Sequence, residues 1–185
     1  MEELSKYYNR LAVPFHSIMG NHDLKNLTRK ENAEIMGTPA SSYSRVVNGY
    51  HLVFWNPNVD IKDGALRLED KDLEWLKKTL AKNDKPVVLF SHVPLDNTEE
   101  DNAADAETAK KHGIIAGRFY YEQAADVRKV LEDSGNVLLC MAGHRHKNRQ
   151  REINGIHYIT QQSFTNTYRK HYRVPSRTYS YIELD

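Results

Sequence analysis

A chain of 185 residues is long enough for one domain with a real core, and nothing in it marks a second. Charged residues make up 28% yet the net charge is only +1, so no global field draws the chain to nucleic acid or to an anionic membrane. No stretch approaches the ~20 apolar residues that span a bilayer, and the first residues lack the basic-then-apolar pattern of a signal peptide.

In chain order, Leu4, Tyr7, Tyr8 and Leu11 recur at helical spacing and predict a short amphipathic helix within Glu2 to Ala12. Pro14 to Met19 is a short apolar run ended by Gly20, which predicts a buried strand opening into a loop. Thr28 and Glu31 form a capping box ahead of a short helix through Met36, and Gly37 stops it. Ser42 to Val47 and Tyr50 to Asn56 are β runs joined by Asn48-Gly49, a strong hairpin signal. From Asp70 to Lys82, Leu73, Leu76 and Leu80 line one helix face with Trp75 on its edge. Acids fill its first turn and lysines its last, in agreement with the helix dipole.

Pro86 to Ser91 reads as a second buried strand. Asp96 to Gly117 is acidic, alanine-rich and short of apolar periodicity, so a long loop is expected, either a flap over the site or poorly ordered. Tyr120 to Asp133 returns to helical spacing through Ala124, Val127 and Leu131, with Gly135 as its stop. Val137 to Gly143 predicts a third strand, holding Cys140, the single cysteine, which reads as a small buried residue of a reducing, cytoplasmic compartment. Arg149 to Ile153 and Ile156 to Gln161 flank Asn154-Gly155 as a second hairpin, and Thr178 to Leu184 alternates as a final strand. The basic link Tyr168 to Arg177 reads as a solvated loop, with a grip on phosphate or nucleic acid as its alternative.

The three predicted strands end alike. The first delivers Gly20-Asn21-His22-Asp23, the second His92, and the third His144 and His146. An apolar core gains nothing from imidazoles gathered at one rim, whereas a divalent transition-type ion gains nitrogen ligands and an amide oxygen. His16, His51, His112, His157 and His171 share no such placement and read as ordinary surface or core residues. A serine hydrolase would want Gly-x-Ser-x-Gly, a zincin His-Glu-x-x-His and a nucleotide fold a Gly-rich phosphate loop; none occurs.

In order and spacing, Gly20-Asn21-His22-Asp23, Ser91-His92-Val93-Pro94 and Gly143-His144-Arg145-His146 resemble the third, fourth and fifth signatures of the calcineurin-like metallophosphoesterases. The resemblance implies an α/β fold of the four-layer αββα sandwich type. It implies a centre of two divalent ions (Mn, Fe or Zn) sharing a bridging carboxylate and a bridging hydroxide, which hydrolyses a phosphomonoester or phosphodiester. By similarity Asn21, His92 and His144 are ligands of the second metal and His146 of the first. His22 lies near the leaving oxygen as proton donor, and Asp23 hydrogen-bonds to His22 to fix its tautomer.

The departure from the pattern carries equal weight. The family's opening Asp-x-His and Gly-Asp-x-x-Asp signatures do not occur here, so a single domain lacking its N-terminal unit is expected, with at most one ion held. Every assigned ligand is neutral, and without a bridging carboxylate two dications repel. Three readings stand: a truncated and impaired phosphoesterase, a single-ion module suited to Zn or Ni, or an interaction protein completed by a partner chain. A long unpaired sheet edge would favour pairing with that partner or self-association. The substrate expected is a small phosphate ester; nucleic acid is not indicated, and no membrane is.

Overall fold

The computed structural model describes residues 2–8, 10–62, 65–113, 119–164 and 175–185. Two hairpins frame a parallel centre. β1 (Tyr43–Val47) and β2 (Tyr50–Trp55) are antiparallel, and β7 (Arg149–Ile153) and β8 (Ile156–Thr160) likewise. Each turn is an Asn-Gly pair in which both residues take positive φ, +47° and +88° at Asn48-Gly49 and +50° and +78° at Asn154-Gly155, as a two-residue turn of matching twist requires. Between them β5 (Val87–Ser91) and β6 (Val137–Ala142) run parallel to β2 and β8, giving the order β1-β2-β5-β6-β8-β7.

Period-two alternation decides the faces. Val53 and Trp55 of β2, Val87 and Leu89 of β5, and Tyr158 of β8 are buried against α3 (Asp70–Leu80) and α5 (Ala124–Ser134). These helices contribute Leu76, Leu80, Val127 and Leu131, the predicted apolar positions, while Leu73 and Trp75 pack at the edge of the same cluster. Leu52 and Phe54 of β2, Phe90 of β5 and Met141 of β6 point the other way and line a cavity of about 510 Å³ together with His16 and Ile18. The rings of Tyr43, Phe54 and Phe90 stack along this face, with centroids 4.7 Å and 5.1 Å apart. A separate two-stranded ribbon, β3 (Val59–Lys62) with β4 (Ala65–Leu68), completes the sheets of the described residues. The α/β class is therefore as expected. A four-layer sandwich needs a second full sheet, and among the described residues only this ribbon stands apart from the six-stranded one.

Four elements differ from the sequence expectation. Residues 14–19 form no ladder: both edges of β2 are taken by β1 and β5. The segment instead lies against the apolar sheet face, His16 stacking on Phe54 at 4.5 Å and the Met19 N–H donating to Asn56 Oδ1 at 3.4 Å. The expected long loop contains α4 (Glu99–His112), opened by a capping box between Thr98 and Asp101 and closed by Gly113 at φ +63°. Thr178 to Leu184 pairs with no strand among the described residues, and Tyr179 and Tyr181 are over 80% exposed at 82% and 81%. α1 (Glu2–Tyr8) ends earlier than its periodicity, leaving Leu11 exposed beyond it. α2 (Arg29–Met36) has the predicted Thr28–Glu31 box and Gly37 stop. The basic link Tyr168 to Arg177 falls mostly outside the described residues.

Candidate metal centre

The C-terminal ends of β2, β5 and β6 lie side by side, the rim where parallel strands present ligands. Past β5 the Ser91 hydroxyl donates to the Val93 carbonyl at 2.8 Å, closing the turn that carries His92. Past β6 the Gly143 N–H donates to the His92 carbonyl at 3.0 Å and so ties the two histidine turns together. The third segment is a loop after Gly20, held by its own residues. Asp23 Oδ2 accepts the Gly20 N–H at 2.8 Å, and the buried Asn32 of α2 donates through Nδ2 to the Asp23 and Thr28 carbonyls, both at 3.0 Å.

These turns bring three donor atoms to one point. His92 Nε2 lies 2.9 Å from Asn21 Oδ1 and 3.1 Å from His144 Nδ1, and His144 Nδ1 lies 3.2 Å from Asn21 Oδ1. No arrangement of ring protons satisfies all three contacts at once, whereas one cation does. Burial, and then the neighbouring His144, His22 and His146, lower the His92 pKa to about 3, although part of the residue still reaches solvent. The ring therefore stays neutral and keeps a lone pair at neutral pH. Two imidazoles and an amide oxygen with edges near 3 Å fit one face of a Zn²⁺, Mn²⁺ or Fe²⁺ coordination shell, in which ligands sit ~2.0–2.2 Å from the ion. Among the described residues no three His, Cys, Asp or Glu side chains are grouped to hold an ion, so Asn21 is what completes the trio.

Two features make the convergence possible. A Cβ at Gly20 would lie 2.5 Å from Cε1 and 2.8 Å from Nδ1 of His92, so only glycine leaves room for that ring. His144 and His146 both adopt left-handed backbone, φ +63° and +52°, at a cost of about 1–2 kcal/mol each for residues with a Cβ. This puts His144 into the trio and turns His146 toward His22, with ring centroids 6.5 Å apart. His22 and His146 thus flank the trio. Asp23 makes no hydrogen bond to His22: its carboxylate caps the Gly20 loop instead.

A cavity of about 540 Å³ opens beside the trio, lined by Asn21, His22, Lys25, Trp55, Tyr121 and His144 among others. His92 lines both this cavity and the apolar one on the sheet face. Several positioning residues escape a sequence reading. Asn32 and Asn56 are buried amides that bond to loop backbone, and nothing in composition distinguishes them from surface asparagines. Asp101 and Asp105 pair with Arg149, Arg151 and Arg145 beside the histidine turn, and the Thr98-x-x-Asp101 box was a helix signal available in the sequence.

The model of the calcineurin-like phosphoesterase family matches residues 1–148. A probable cyclic nucleotide phosphodiesterase of Psychrobacter sp. (strain PRwf-1) is 24% identical over 163 residues, which are 80% of this chain and 43% of that protein. A crystal structure of a dimetal phosphatase from Danio rerio superposes with a TM-score of 0.60 at 14% identity, over 80% of this chain and 60% of that one, a likeness of fold. The chain thus spans less than half the length of the curated relative it matches.

Proposed function

Because this chain belongs to the calcineurin-like phosphoesterase family, we propose that its histidine rim forms part of a phosphoester-hydrolysing centre in which Asn21, His92 and His144 hold one divalent ion. The observation that carries the proposal is the trio itself, three lone-pair atoms from three separate segments within 3.2 Å of one another. An ion bound there, Mn, Fe or Zn, supplies Lewis-acid charge to a phosphate oxygen. His146, on the far side of the same turn, is the ligand offered to a second ion. His22 faces the cavity mouth and donates its ring N–H to the leaving oxygen, and Lys25 adds positive charge where the phosphate enters. Asp23 contributes by holding the Gly20 loop in the shape that delivers Asn21 and His22.

The trio carries no negative charge, so a second dication nearby needs carboxylates from outside it. In this proposal they belong to polypeptide beyond these 185 residues, and a four-layer sandwich with two ions is the completed form. The substrate is a phosphate ester, and a diester is favoured by the relative named as a probable cyclic nucleotide phosphodiesterase. A second reading, completion by another chain, is supported by the apolar face of Leu52, Phe54, Phe90 and Met141 that borders His92 and opens into the 510 Å³ cavity. The test is turnover of bis-p-nitrophenyl phosphate with manganese, by this chain and by a version extended into any upstream reading frame. Turnover in the extended form supports the first reading, and turnover restored by a stable mixed complex the second. One tightly held ion with no turnover in any form would contradict both and leave an ion-binding module.

A further inference from the structure

The acidic segment after Asp96 has a use that the proposed chemistry leaves unassigned. Three of its carboxylates, Asp96, Asp101 and Asp105, are engaged by arginines of the third histidine motif and of β7 behind it. Arg149 reaches Asp96 at 2.7 Å and Asp101 at 3.0 Å, Arg151 reaches Asp101 at 2.6 Å, and Arg149 also donates to the Tyr120 hydroxyl at 3.0 Å. Arg145 differs from the other two because it sits between His144 and His146. Its guanidinium makes a two-pronged pair with Asp105, Nη2 to Oδ1 at 2.8 Å and Nη1 to Oδ2, and lies 4.4 Å and 5.0 Å from the ring centroids of Phe119 and Tyr120. Both partners are deeply buried, with side chains 11% and 12% exposed.

The flanking histidines are the residues in left-handed backbone, a conformation that persists only where surrounding structure over-determines it. Within the turn the Arg145 N–H donates to Gly143 O at 2.7 Å. The Arg145 side chain adds an anchor from outside the turn. We propose that Arg145, gripped by Asp105 of α4, is a positioning residue that fixes the His144-Arg145-His146 turn so that His144 Nδ1 meets Asn21 and His92 at the ion. The inference rests on the ion-binding reading above. It makes α4 a strut of the metal centre, where the sequence pointed to a long loop, either a flap or poorly ordered. A planar guanidinium bonded through two nitrogens and stacked on two rings fixes orientation as well as distance, which an ammonium does not.

The test compares Asp105→Asn and Arg145→Lys with Arg151→Gln, which breaks a pair to Asp101 on the same helix without touching the turn. Cobalt(II) is the probe, its affinity read by titration calorimetry and its ligand field by visible absorption, alongside the melting temperature of the ion-free chain. Asp105→Asn and Arg145→Lys should weaken cobalt binding about tenfold or more and alter its absorption band, the size of effect seen when a ligand's orienting partner is removed. Arg151→Gln should lower the melting temperature comparably and leave cobalt affinity within about twofold. Equal losses of affinity in all three would reduce Arg145 to general helix docking and overturn the inference, as would unchanged affinity in Asp105→Asn. A wild-type chain that binds no cobalt would instead overturn the ion-binding reading beneath it.

Discussion

Gly20→Ala isolates the geometry of the centre from its chemistry, because it removes no ligand. The added methyl would stand 2.5 Å from His92 Cε1, where ordinary contact is 3.4–4 Å, so the ring must retreat by roughly 1 Å. The backbone does not object, since Gly20 is not among the glycines at positive φ. Metal–ligand distances tolerate only ~0.2 Å, so the displaced Nε2 can no longer share an ion with Asn21 and His144. Overpacking costs about 1–3 kcal/mol, partly offset by about 0.4–1 kcal/mol from the stiffer unfolded chain. At ~2–4 °C per kcal/mol for a chain of this size, the melting temperature should fall by less than about 10 °C. The expected outcome is a folded protein with near wild-type circular dichroism whose zinc affinity, measured by competition with a chromophoric chelator, drops by about a hundredfold or more. Wild-type zinc affinity in Gly20→Ala would refute the claim that the His92 ring is fixed in place by the missing side chain.

Further outcomes are specific. His92 is held neutral on folding, its pKa lowered to about 3 against 6.5, so the stability it contributes is present above pH 6.5 and is lost as pH falls toward 3. The ion-free wild type should therefore lose stability over that window, approaching ~1.4 kcal/mol per pH unit from this one proton, and His92→Gln should flatten the slope in urea melts. Asn32→Ala removes the two 3.0 Å bonds that anchor the Gly20 loop. It should cost about 1–3 kcal/mol and weaken ion binding, whereas Leu76→Ala, in the core beneath α3, should cost about 2–5 kcal/mol with ion affinity unchanged where the chain remains folded. Asp101 should resist protonation. Burial alone raises its pKa, but bonds from Arg151 and the Thr98 N–H and the charges of Arg149 and Arg151 hold it well below the usual carboxylate range. Its contribution to stability is fully present above the ordinary carboxylate range and is lost progressively below it, completely only at the acid extreme, so the drop in melting temperature caused by Asp101→Asn should be largest at neutral pH and smaller, though not abolished, at pH 2.

What the sequence revealed depended on whether the signal was local. Asn48-Gly49 and Asn154-Gly155 demand positive φ at both turn residues, so both hairpins were legible from two letters each. α3 and α5 showed themselves because Leu76, Leu80, Val127 and Leu131 must face a core. α4 was hidden because its buried side is Asp105 and Ala109, not leucine: the helix docks through arginines, and hydrophobic periodicity is blind to that. Asp63-Gly64, in the sequence between β3 and β4, is a hairpin signal of the same kind as the other two. The run before Gly20 looked like a strand because apolar residues cannot tell whether a ladder partner has an edge to offer. At the site, the expected strand ends pointed to His22, His92, His144 and His146, and it was the resemblance that set Asn21 beside His92 and His144. That His146 faces His22, and that Asp23 turns back to its own loop, are matters of backbone φ and loop bonding that no spacing encodes.

The central claim is that Asn21, His92 and His144 act together on one ion, and stoichiometric metal titration tests it most directly. Calorimetry of the metal-free chain with zinc should give one strong site, and Asn21→Ala, His92→Ala and His144→Ala should each weaken it by at least tenfold while remaining folded. Zinc bound equally well by all three variants, or not bound by the parent chain, would contradict the account.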